Sequence, residues 1–133
     1  QPPYTPSIST MFALDLALDK ILDEGMRSIF ERHATIAQIT RDGVKKLGLS
    51  ILPAVTVASN TVTAVVIPDH VDGTRLLEQM REDHNIVLAG GQQSLSGKIF
   101  RIGHMGYCTA EEIQGVLDGL AITLPKVCFN NSR

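Results

Sequence analysis

The chain has no tryptophan, and only 5% of its 133 residues are aromatic. Base-stacking platforms and sugar-stacking clefts are built from such rings, so the sequence has little material for either. A dominant charge is also missing: 12 basic and 14 acidic residues are interspersed, for a formal net charge of -2. That leaves no basic stripe to follow a phosphate backbone, and nucleic acid is not expected as a partner. Cysteine is scarce. Cys108 and Cys128 cannot build a disulfide framework or a four-cysteine zinc site, and they read as two unpaired thiols in a reducing compartment. No apolar run approaches the ~20 residues of a membrane span, and no charged-then-apolar leader opens the chain, so the protein reads as soluble and cytoplasmic with no membrane partner. The four histidines, at 33, 70, 84 and 104, show none of the spacings that gather imidazoles around a metal, and no metal site is expected.

What is present is core-forming. Leu, Ile, Val and Phe make up roughly 30% of the chain, well above the ~20% below which disorder sets in, and the length suits one domain. The chain opens on Gln1-Pro2-Pro3 with no initiator methionine, so it is expected to be a piece of a longer protein. Three prolines before Ser9 make residues 1–9 an extended lead-in. With Ser9 or Thr10 as cap, Met11, Leu14, Leu18, Ile21 and Leu22 recur at helical spacing until Gly25. This first helix is too apolar for a free surface and reads as a connector that packs on another domain or a second subunit. A second helix runs from Met26 to Leu47 and stops at Gly48.

From Leu49 the pattern turns to β-branched runs: strands over 49–52 and 61–67, closed by Pro68-Asp69. Asp72 caps a short helix ending near His84-Asn85. Ile86 to Ala89 reads as a strand ending in Gly90-Gly91, and 98–102 as the next. Thr109-Ala110-Glu111-Glu112 is a capping box that opens a last helix, ended by Pro125. The expected fold is therefore α+β: a two-layer sandwich with a small antiparallel or mixed sheet, helices on one side, and a long connector helix in front. Residues 10–129 form the domain and 130–133 a fraying tail.

Candidate chemistry is thin. The stretch from Gly90-Gly91 to Gly97-Lys98 invites a phosphate-loop reading, but five residues separate Gly91 and Gly97 where that loop needs four. Ile99 also stands where a magnesium-binding hydroxyl belongs, and a strand follows instead of a helix. A flexible loop joining two strands fits better. His33 lies on an apolar helix stripe as a core or interface residue, His70 and His84 fall near turns and read as solvated, and His104 reads as a structural hydrogen-bonding group. Arg101 stands out as a single charge inside the apolar strand Ile99-Phe100-Arg101-Ile102-Gly103. A guanidinium there is either paired with a carboxylate of the protein or left open for one from a ligand.

The set Gly90-Gly91, then Ser96-Gly97-Lys98-Ile99-Phe100-Arg101-Ile102-Gly103-His104-Met105-Gly106 and a capped helix, resembles the end of the class V, fold type I aminotransferases of the alanine-glyoxylate and serine-pyruvate branch. The opening Tyr4-Thr5-Pro6-Ser7-Ile8-Ser9 is similar to the passage from their large domain to their small one. The resemblance implies the C-terminal small domain of a homodimeric pyridoxal-phosphate enzyme that moves an amino group from serine or alanine to glyoxylate or pyruvate. It implies that Arg101 holds the substrate carboxylate, that Gly90 and Gly91 lie at the substrate entrance, and that Tyr4 and Thr5 reach the cofactor phosphate in the other subunit. The cofactor-linking lysine belongs to the large domain, and none of Lys20, Lys45, Lys46, Lys98 or Lys126 lies in a matching motif. This chain alone is therefore expected to be inactive and to bind no cofactor. Some relatives carry the label of a soluble hydrogenase small subunit, although two cysteines are too few for a nickel-iron or iron-sulfur centre. The rival reading is a free-standing α+β binding or assembly module in which Arg101 is a structural ion pair.

Overall fold

The computed structural model describes residues 4–128, in two compact units that divide after Arg32. In the first unit, α1 runs Ile8–Glu24. It starts three residues earlier than the apolar spacing indicates, because Ser7, directly after Pro6, takes the N-cap position and Ser9 and Thr10 fall inside the first turn. The Ser7 hydroxyl makes no cap bond; it pairs with the Thr10 hydroxyl at 2.8 Å. Gly25, at φ 79°, turns the chain directly into α2, Met26–Lys46. Across this break Arg32 grips Glu24 through Nε at 2.6 Å and Nη2 at 2.9 Å. No residue of α1 is buried, and its large apolar side chains from Ile8 to Leu22 all stand exposed, Phe12 at 71% and Leu22 at 77%.

The second unit holds the core. After α2 the chain turns at Gly48, φ 79°, where the Leu49 N–H reaches back to the Val44 carbonyl. Four strands follow: β1 Ser50–Ile51, β2 Val62–Val66, β3 Ala89–Gly90 and β4 Ile99–Gly103. They form one sheet in the order β1-β2-β4-β3, antiparallel at every pairing. Between β2 and β3 comes α3, Gly73–His84, and after β4 comes α4, Ala110–Thr123. The element order is that expected from the sequence, and of the antiparallel and mixed sheets left open there the described strands form the antiparallel one.

Side chains alternate across a strand, and burial follows that alternation. Val65, Phe100 and Ile102 are at most 1% exposed and share a core with Val44 of α2, Leu76 and Met80 of α3, and Ile113, Leu117 and Leu120 of α4. Where α2 and α4 approach, Gly43 is required: a Cβ there would run into the Leu117 side chain.

Helix ends follow the local chemistry. Asp72 accepts the Arg75 N–H at 3.0 Å, and Thr109 and Glu112 form a reciprocal capping box. Two expectations are corrected, and one element is added. Ile86 to Leu88 are not a strand, because α3 ends in a left-handed Asn85 (φ 56°) whose successor, Ile86, donates its N–H back to the Met80 carbonyl. This helix exit engages the first of those residues, and only Ala89 and Gly90 join the ladder. His84 is half-buried instead of solvated. Its Nε2 lies 3.1 Å from the Thr123 hydroxyl, since the ring packs where α4 has only Gly119. The segment between β1 and β2 includes a short 3-10 turn over Val55–Val57, which the residue pattern did not indicate. The expected fraying tail at 130–133 lies outside the described residues.

Candidate carboxylate site on the open sheet face

Arg101 sits at the middle of β4, with Ala64 of β2 and Ala89 of β3 as its cross-strand partners. Alternation places it on the face opposite Phe100 and Ile102, and it is half-buried there. Both neighbours end at Cβ, so nothing beside the arginine competes for its head group. Its Nε–H donates to the Gly90 carbonyl at 3.2 Å. Ion pairs such as Arg27 with Glu31, Arg32 with Glu24 and Lys126 with Asp83 lie elsewhere, and Arg101 makes none with a described residue. The structural ion pair that the sequence left open is not made by any described residue.

The β3–β4 pairing brings the Gly90 carbonyl to Arg101 and bonds the Gly91 N–H to the Ile99 carbonyl. A Cβ on Gly91 would strike the Leu95 carbonyl, so the turn that follows packs directly on the Gly91 backbone. That turn is closed by its own hydrogen bonds, Leu95 N–H to Gln92, Ser96 N–H to Gln93 and Lys98 N–H to Leu95. It leads into β4 and not into a helix, so it lacks the oriented N-terminal donors of a phosphate loop.

Tyr4 and Thr5 belong to the first unit and are exposed, Tyr4 at 86%. All five lysines are exposed as well. A lysine that links a cofactor sits in an enclosed pocket, and none of these five does so among the described residues. The residues of this chain therefore do not by themselves fit pyridoxal phosphate, and no chemical step through it is assigned to them.

Under the sheet, His104 is 1% exposed. Its Nε2 lies 2.9 Å from the Thr63 hydroxyl, and its backbone N–H bonds the Thr61 carbonyl at 2.9 Å. Burial pushes its pKa below the ordinary histidine value, and the charges of Arg41 and His33 push the same way. The Asn60 carbonyl opposes them in part, without a well-formed hydrogen bond to the remaining ring nitrogen. His104 has the structural role expected of it. Sequence reasoning missed the two alanines flanking Arg101 and the carbonyl that holds it, because register across strands leaves no local signal.

Helices packed on a four-stranded antiparallel sheet are the architecture of an aminotransferase small domain. The chain is homologous to class V aminotransferases and has the fold of their small domain. It is 39% identical over 128 residues to a serine–glyoxylate aminotransferase of Arabidopsis thaliana, covering 96% of this chain and 32% of that protein. It is 37% identical over 129 residues to a soluble hydrogenase small subunit of Synechococcus, covering 97% and 33%. The solved alanine–glyoxylate aminotransferase of Nostoc superposes with a TM-score of 0.90 at 30% identity, over 93% of this chain and 33% of that one. The chain thus spans about a third of the length of the relatives it matches. No protein-family model matches it.

Proposed function

We propose that this chain is the C-terminal small domain of a pyridoxal-phosphate-dependent aminotransferase that transfers the amino group of serine or alanine to glyoxylate or pyruvate. The observation that carries the reading is Arg101: a fixed guanidinium with no carboxylate of the described residues on it. A planar fork of this kind grips a carboxylate through two parallel charge-assisted hydrogen bonds. Both substrate classes carry that carboxylate, so one arginine serves amino donor and keto acceptor in turn, and holding it fixes the Cα against the reacting group. The lysine that links the cofactor comes from the rest of the protein. Residues 1–9 are the passage between domains, and α1, exposed and apolar, is the connector helix that the rest of the protein covers. Tyr4 and Thr5 are assigned to the cofactor phosphate across a homodimer, and the protein works in the cytoplasm.

The test is the visible absorbance of the full-length protein purified with pyridoxal phosphate. A yellow band that bleaches with serine or alanine and returns with glyoxylate or pyruvate is the expected result. A colourless protein that takes up no cofactor would overturn the reading and favour a binding module.

A further inference from the structure

In an antiparallel ladder, pairs that exchange hydrogen bonds alternate with pairs that do not. The Gly91 N–H donates to the Ile99 carbonyl at 3.0 Å, so the next pair, Gly90 with Phe100, is one without mutual bonds. The Gly90 carbonyl therefore faces away from β4, at the edge of the sheet where β3 has no further neighbour among the described residues. There it accepts the Arg101 Nε–H at 3.2 Å.

That bond decides how the guanidinium can be used. An arginine grips a carboxylate side-on, through Nε and one Nη, or end-on, through Nη1 and Nη2. With Nε already donating to the protein, only the end-on fork remains. We infer that Gly90 is a positioning residue whose backbone carbonyl commits Arg101 to end-on recognition of the substrate carboxylate, at the sheet edge beside the turn that follows Gly91. Gly91 completes the device. Because a Cβ there would meet the Leu95 carbonyl, the turn packs on bare backbone and fixes the peptide that carries the Gly90 oxygen. The inference rests on the carboxylate role proposed above for Arg101, and the test separates the two.

The experiment is NMR of the full-length protein with 15N-arginine, using pyruvate as the probe and identifying the Arg101 signals by their loss in Arg101→Lys. The expected result is an Arg101 Nε–H that exchanges slowly with water before pyruvate is added and keeps its shift afterwards, while the Nη signals move. A shift of Nε together with one Nη would mean side-on binding and would overturn the inference while leaving the carboxylate role intact. If no Arg101 signal responds to pyruvate, the carboxylate role fails and the inference with it. Kinetics give a second reading. Arg101→Lys keeps the charge but not the fork, so KM should rise about tenfold or more, the equivalent of one lost hydrogen bond, with kcat changed less. A lysine variant within about twofold of the parent KM would contradict the inference. Gly91→Ala should raise KM and speed the exchange of the Arg101 Nε–H; slow exchange with an unchanged KM would show that the turn does not hold the carbonyl.

Discussion

Along β4, alternate side chains meet two different environments. Phe100 and Ile102 point into a core closed by α2, α3 and α4 and are at most 1% exposed, whereas Arg101 between them lies on the uncovered face with an alanine on either side. The first face is filled to the point that small residues are required around it, as Gly43 against Leu117 shows. The second is left under-filled, and its one charge is held by a backbone carbonyl instead of an acid. A strand built for stability alone would pair that charge or replace it, because an uncompensated arginine contributes little to folding. The difference separates the residues that hold this domain together from the one proposed to bind its ligand.

Substitutions on each face should separate stability from binding. The largest effect is expected on the core face: Phe100→Ala should cost about 3–5 kcal/mol, seen as a lowered denaturant midpoint of the full-length protein, and a loss under about 1 kcal/mol would mean the core lies elsewhere. On the open face, Ala64→Glu sets a carboxylate opposite Arg101. Stability should hold or rise by about 0.2–1 kcal/mol as a cross-strand ion pair forms, while KM for pyruvate should climb about tenfold as the new acid competes for the fork; an unchanged KM would show that the ligand does not use this face. Away from both faces, Thr109→Ala removes the cap of α4 and should lower stability by about 1 kcal/mol with KM untouched.

The smallest change is a pH slope. His104 is buried neutral and its folded pKa is depressed, by burial first and then by Arg41 and His33. As pH falls, the unfolded chain takes up that proton before the folded one does. The stability it contributes is therefore complete above about pH 6.5, the unperturbed value, and declines as pH drops from there toward the folded pKa. Thermal melts between pH 7.5 and 5 should show this decline in the parent and a shallower one in His104→Gln. Equal slopes would assign the effect to other groups.

Much of this was readable from the residues because it is local. Asp72, Thr109 with Glu112, Gly25 and Gly48 terminate helices through bonds to residues within a few positions, and each does so where the sequence places it. The apolar character of α1 was equally plain, and so was Arg101 as a lone charge in a strand. What failed depends on distant partners. Ile86 to Leu88 look like a strand, but the exit of α3 takes the Ile86 N–H. His84 looks solvated until α4 supplies Gly119 and Thr123. Nothing in the sequence near Arg101 announces Ala64, 37 positions earlier, as its neighbour across the ladder. The surroundings of Arg101 are thus defined by register, whereas the core face is already visible in the alternation along each strand.

Arg101→Leu in the full-length protein decides whether the open face of β4 serves to hold a carboxylate, as proposed, or to stabilise the fold. KM for both amino donor and keto acid should rise by about two orders of magnitude, as expected for removing one partner of a charge-assisted pair, with the cofactor band and the denaturation midpoint unchanged. A variant with parental KM, or one that loses stability instead of affinity, would show that Arg101 serves the fold and would contradict the account.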